Sequence, residues 1–158
     1  LGEPLRIQVR PNTRTVTISY ETSPEAEALQ WLSPPQTANR AHPFLYSQSQ
    51  PIFARTWIPC QDSPGVRFTY EAKVSVPPDL MAVMSATNPK KKNKRGFFEF
   101  RMPQPIPAYL LALAVGDLQY RPFDRRSGVY AESRLLGQAY SEFREVPKMI
   151  AAAEKLFG

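Results

Sequence analysis

The chain has 158 residues, 42% of them hydrophobic and 11% aromatic, a content that suits one ordinary globular domain and excludes a disordered polar segment. Its 17 prolines, set against a usual share of ~5%, favour strands divided by turns over long helices. The net charge of +6 invites nucleic acid or an anionic membrane, but Lys90, Lys91, Lys92, Lys94 and Arg95 of "NPKKKNKRG" supply nearly all of it, so the basicity belongs to one loop.

Residues 5 to 10 and 14 to 21 read as two strands joined at "RPNTR", where Pro11 and Asn12 supply turn chemistry. In the second, Val16, Ile18 and Tyr20 fall on one face and Thr15, Thr17 and Ser19 on the other. From Ser23 to His42 the pattern dissolves into a polar, proline-bearing stretch containing "ALQWLSPPQT", a long loop that could hold a helical turn. Strands are expected near 47 to 57 and at 66 to 76, the latter alternating through Val66, Phe68, Tyr70, Ala72, Val74 and Val76. Others fit 81 to 87 and 97 to 102, with the basic loop as the hairpin tip between them. "AYLLALAVGDL" is apolar on both faces, as a central, covered strand requires. A last strand fits 128 to 132.

Residues 134 to 157 then turn helical. Pro147 suits a first turn, Met149, Ile150, Ala153, Leu156 and Phe157 share one face, and Gly158 is a C-terminal cap. The expected fold class is therefore mainly β, followed by a short strand and a C-terminal helix. The expected division is residues 1–122 as a β domain whose start lies upstream of Leu1, and residues 123–158 as the opening of a second domain that continues past Gly158.

The longest strongly apolar run, "YLLALAV" at 109 to 115, is far short of the ~20 residues that cross a bilayer. No signal-peptide pattern stands at the start, and a cytoplasmic location is the expectation. Cys60, the one cysteine, reads as a packed thiol beside Trp57, Ile58 and Pro59. His42, the one histidine, is too little for a zinc site or a nucleophilic triad and reads as a loop residue held by its neighbours. No catalytic or metal-binding residue is expected in the chain. Phe97, Phe98 and Phe100 follow the lysines, the mix of charge and aromatics that single-strand binders use, yet aromatic alternation is ordinary strand content. Nucleic-acid binding through residues 90 to 95 is the lesser alternative, recognisable by a steep salt dependence.

"FLYSQSQPIFARTWIPCQD" is left. On an extended backbone Gln48 and Gln50 would point the same way. The plain reading is two polar residues on a solvent face; the other is a pair of ligands. Two features turn attention to the second: Pro51 cannot donate to a ladder, and Phe44, Tyr46, Phe53 and Trp57 make the surroundings too apolar for a wet edge.

"ISYETSPEAEALQWLSPPQT", "HPFLYSQSQPIFARTWIPCQDSP", "VSVPPDLMAVMSA" and "PIPAYLLALAVGDL" together resemble the leukotriene A-4 hydrolase and aminopeptidase B branch of the zinc aminopeptidase superfamily (aminopeptidase N-like). The likeness runs in order from about residue 15 to the terminus. It implies a saddle-shaped N-terminal β domain over a thermolysin-like catalytic domain, of which residues 1–122 would be the later part of the first and residues 123–158 the start of the second. The family's Q-x-Q strand, which holds the free α-amino group and backbone of a peptide's first residue, falls on Gln48, Ser49 and Gln50. An ammonium offers three donors and no acceptor, so it seeks oxygen atoms. Gln50 would meet the amine, with Gln48 beside it and Ser49 touching by backbone.

Most of the superfamily has glutamate at the second of these positions; the leukotriene hydrolase branch has glutamine, as here. The chain departs from the family at Pro51, where a small residue is usual, and it lacks the G-G-M-E-N motif, the H-E-x-x-H helix, the third zinc ligand and the catalytic tyrosine. The resemblance thus implies a zinc cofactor held elsewhere in a parent metalloaminopeptidase, and an inactive chain in isolation. The implied partners are a peptide with a free N-terminus and the remainder of the catalytic domain, with no nucleic acid and no membrane. A stand-alone β interaction module is the other alternative.

Overall fold

The computed structural model describes residues 3–158. Among the described residues eight strands, Leu29–Leu32 (β1), Phe44–Ser47 (β2), Arg67–Ser75 (β3), Met81–Met84 (β4), Phe97–Pro107 (β5), Leu113–Gly116 (β6), Leu118–Pro122 (β7) and Gly128–Glu132 (β8), precede two helices, Ser133–Glu142 (α1) and Val146–Phe157 (α2). The strands form an antiparallel four-stranded sheet in the order β1-β2-β6-β4, a β3-β5 ribbon and a β7-β8 hairpin. The mainly-β expectation holds.

The alternation at 66 to 76 produces β3 as expected, with Phe68, Tyr70, Ala72 and Val74 on its half-buried face. Its partner β5 sets Phe98 opposite Val74 and Phe100 opposite Ala72. Those two rings, 4% and 3% exposed, pack with Met81, Ala82 and Leu118 into the core. Burying each ring is worth ~2 kcal/mol, so the ribbon holds itself against β4 through one apolar face.

Several sequence expectations need correction. Residues 5 to 10 and 14 to 21 are not strands: the Thr13 N–H reaches Arg10 O at 3.0 Å, closing the turn at Pro11 and Asn12, but no ladder follows. Leu5, Val9, Val16 and Tyr20 stay exposed, and a two-stranded ribbon with no second layer is marginal. Within the stretch taken for a loop, residues 29 to 32 instead form β1, paired along its length with β2, and the expected helical turn is a 3-10 turn at Pro34–Gln36. β4 ends at Met84, short of residue 87. There Asn88 replaces a neighbouring strand, its Oδ1 accepting the Met84 N–H at 2.7 Å and its Nδ2 donating to Met84 O at 2.7 Å.

The basic loop is not a hairpin tip, because β4 pairs with β6 and β5 with β3. The loop crosses between two sheets. β6 is central, as expected, but half-buried for most of its length and not fully covered. β7 was not anticipated, and it pairs with β8 across the 122/123 division, placing Tyr120 opposite Tyr130 with ring centroids 4.7 Å apart. The helical stretch is two helices, α2 starting with Pro147 in its first turn and ending at Gly158, whose φ of +94° suits glycine. Arg121 lies 3.6 Å from the Tyr140 ring centroid, and Arg126 forks onto the Glu154 carboxylate at 2.7 and 3.0 Å, fastening hairpin to helices. Met149, Leu156 and Phe157 of the expected apolar face are exposed.

Where the chain enters β5, Gly96 sits at φ +64° and a Cβ there would lie 1.9 Å from Val76 O. The Val76 N–H in turn donates to Gly96 O at 2.8 Å. Gly96→Ala is expected to cost at least ~2 kcal/mol, read as a lower urea midpoint at unchanged slope. A midpoint equal to that of the parent protein would show that the turn absorbs a side chain.

Asp117, between β6 and β7, pairs with Lys92 and accepts from Asn39 Nδ2 at 2.8 Å. The Lys92 ammonium holds its carboxyl below the usual range against the opposing effect of burial, with Asn39 and His42 assisting. Because the folded pKa is depressed, this contribution is complete above the ordinary carboxylate range and is lost as pH falls through the folded value. Acid titration of stability should therefore be shallower in Asp117→Asn than in the parent protein; parallel curves would remove Asp117 from the acid response.

Candidate functional site

β2 ends at Ser47, so Gln48 and Gln50 lie beyond the strand that was expected to carry them, and the alternation argument does not apply to them. The Gln48 N–H makes the last sheet-like bond, to Ala28 O at 2.7 Å. The chain then turns, Ser49 O accepting the Phe53 N–H at 2.9 Å, and the Gln50-Pro51 peptide is cis. What brings the two glutamines together is a local bond: Gln48 Oε1 accepts the Gln50 N–H at 3.0 Å. Both residues remain exposed. Gln48 therefore has one oxygen lone pair already engaged, while among the described residues no hydrogen bond occupies the Gln50 carboxamide.

Ser49 is 2% exposed, and its Oγ accepts the Trp57 indole N–H at 3.1 Å. This bond pins the turn to the 3-10 turn Ala54–Thr56, whose Thr56 Oγ1 accepts the Ala28 N–H at 3.2 Å. Below the strand end, Ser47 Oγ accepts the Leu113 N–H of β6 at 2.8 Å. The glutamines thus stand on a turn tied to Ala28 just ahead of β1, to β6 through Ser47 and to the 53–57 segment. Gln50 also lines a shallow cleft of about 290 Å³ with Pro51, Pro64 and Tyr109. Sequence reasoning missed Trp57 and Tyr109. The signal for Trp57 was available, since a half-buried indole N–H needs an acceptor and Ser49 lies eight residues away.

A larger groove, about 840 Å³, lies elsewhere, between the irregular segment near Tyr20 and the 55–62 loop. Two of its four charged members, Arg55 and Asp62, are spent on each other, with Arg55 Nε 3.3 Å from Asp62 Oδ2 and Arg55 Nη2 donating to Asp62 O at 2.8 Å, while Glu3 and Glu21 also line it. Cys60 borders that groove, and burial, reinforced by Asp62 against Arg55, pushes its thiol up to about 11. It stays protonated at neutral pH, which is the wrong state for a nucleophile. His42 sits in the loop expected for it, its carbonyl accepting from Thr37 Oγ1 at 3.1 Å. In the basic loop, Lys92 pairs with Asp117 and Lys90 lies 5.7 Å from the centroid of the Tyr120 ring, so two of the five cations serve the fold.

Among the described residues no three His, Cys, Asp or Glu side chains gather as metal ligands, so these residues do not fit a zinc ion. Among them, too, no helix is long and apolar enough to cross a membrane.

Comparison with known proteins bears on what this geometry belongs to. Residues 4–110 match the peptidase M1 N-terminal domain. The chain is 42% identical to leukotriene A-4 hydrolase of Xenopus laevis, with 99% of this chain covering 27% of that protein. It is also 42% identical to human aminopeptidase B, with 90% of the chain covering 22%. Among solved structures, native yeast LTA4 hydrolase superposes with a TM-score of 0.76 at 38% identity, over 85% of this chain and 21% of that one. The chain spans about a quarter of the length of these relatives. The expected fold is thereby shown: mostly sheet with two helices, matching the N-terminal β domain of M1 peptidases. The chain belongs to the M1 peptidase family, as a relative of leukotriene A-4 hydrolase and aminopeptidase B.

Proposed function

We propose that the chain is the part of a zinc metalloaminopeptidase that receives the N-terminus of a peptide, with Gln50 meeting the free α-amino group, Gln48 beside it and Ser49 holding the turn. The observation that carries this reading is the pair of exposed glutamines tied together at the end of β2, on a turn held by the Gln48 N–H to Ala28 O, the Phe53 N–H to Ser49 O and the Trp57 indole to Ser49 Oγ. A turn in which Ser49 and Trp57 are already paired has an amide oxygen to spare for a guest. Gln48 can still assist, since an oxygen accepting one N–H keeps a second lone pair for another donor.

A neutral amide attracts an ammonium less than a carboxylate does. Further negative charge must come from outside these residues, and so must the zinc ligands, since no three metal-ligating side chains gather among the described residues. Residues 123–158 are read as the start of the catalytic domain. The basic loop is read as structural and not as a nucleic-acid site, which the inward engagement of Lys90 and Lys92 supports.

The test is kinetic and uses the complete protein that contains this chain. A hydrogen bond to a charged group contributes about 1.5–3 kcal/mol, so Gln50→Leu should lower kcat/KM for peptides with free N-termini by roughly 10- to 100-fold. Both a raised KM and a lowered kcat are expected. Unaltered kinetics would remove Gln50 from the site, and a complete parent protein with no aminopeptidase activity would end the reading.

A further inference from the structure

α1 begins without a cap of its own. Glu132 stands at the N-cap position, but its side chain makes no capping bond to the helix. Instead the carboxylate turns back to the β1–β2 connection, where Oε2 accepts the Ala38 N–H at 2.8 Å and Oε1 the Asn39 N–H at 3.1 Å. Asn39 answers in the opposite direction. Its Oδ1 accepts the Arg134 N–H at 3.3 Å and the Ser133 hydroxyl at 3.1 Å, supplying the acceptor that the first helical turn needs.

The orientation of Asn39 is forced by chemistry. Its Nδ2 donates to Asp117 Oδ2 at 2.8 Å, and a carboxylate only accepts, so the amide oxygen must face the helix. Asp117 is held in turn by Lys92 through its other oxygen. Four segments distant in sequence thus meet at one amide, and they join the sheet to the helical part of the chain.

We propose that Asn39 and Glu132 form a reciprocal helix cap in trans, oriented by Asp117 and Lys92, which fixes the start of α1 against the β1–β2 connection. A capping box satisfies two orphan donors within one helix end. Here the same exchange runs between residues more than ninety positions apart, so the helix and the loop are each completed only by the other. Lys92 gains a definite role: its ammonium holds Asp117 in place, and through it the amide. The inference does not rest on the peptide-binding reading, because it concerns neither glutamine nor substrate.

Amide hydrogen exchange on the complete protein that contains this chain tests it. Asn39→Ala should speed exchange at Arg134 by about tenfold, and Glu132→Gln, which sets an NH2 group against backbone N–H donors, should do the same at Ala38 and Asn39. A trans cap further requires crossed effects: Glu132→Gln must also loosen Arg134, Lys92→Met must loosen Arg134 with both capping side chains intact, and the double variant must cost less than the sum of the singles. Should Asn39→Ala fail to fold, the near-isosteric Glu132→Gln and the remote Lys92→Met still decide. Exchange that changes only at each variant's own bonded amides, or strict additivity, overturns the proposal.

Discussion

Val115 of β6 faces Leu45 of β2 across one ladder and Ala82 of β4 across the other. On this shared register the rest of the structure depends. On the β4 side it leads to the core, where Met81 and Ala82 receive Phe98 and Phe100 from the β3-β5 ribbon. On the β2 side it leads to the turn that carries the glutamines, because Leu45 fixes where Ser47 falls and the Ser47 hydroxyl takes the Leu113 N–H of the same strand. A slip of one residue in β6 would exchange the faces of its side chains and carry both ends with it. Gly116 marks how closely β6 and β2 are fitted, since a Cβ there would enter the Phe44 ring.

What could be read from the sequence follows from which forces are local. β3 and β8 were legible because alternation and turn residues alone define them, and the end of α2 because Gly158 suits a left-handed cap. β1 was hidden in a polar stretch with Pro34 and Pro35 after it, and it exists because β2 offers a ladder. The pairing of β5 with β3, and not with β4, is decided by apolar faces far apart in sequence. The failed N-terminal strands illustrate the converse, in that periodicity identifies a face but not whether anything covers it.

At the site the balance was different. Family resemblance singled out Gln48, Ser49 and Gln50, while the physical premise offered for them, a shared strand face, gave way to a turn. Ser49 shows why such a turn is hard to read. Its hydroxyl is consumed by Trp57 and its carbonyl by Phe53, and neither bond has a period that a pattern search could find. The turn is specified by the needs of buried donors, which become visible only when the fold brings donor and acceptor together.

The placement of charge follows from the topology. β2 and β4 both run antiparallel to β6, so their C-terminal ends lie at the same end of the sheet, near Leu113, while Gly116 and Asp117 mark the other. The basic loop leaves β4 at the glutamine end. Left to itself, it would set its cations close to the place proposed for an ammonium guest, where like charges repel. Lys92 is instead bound to Asp117, and Lys90 lies over Tyr120, which follows Asp117 in β7. A four-residue strand is about 13 Å long, already more than the Debye length of about 8 Å at physiological ionic strength. Lys92 is thus held at the Asp117 end of β6, a strand length from the end at which the glutamine turn begins.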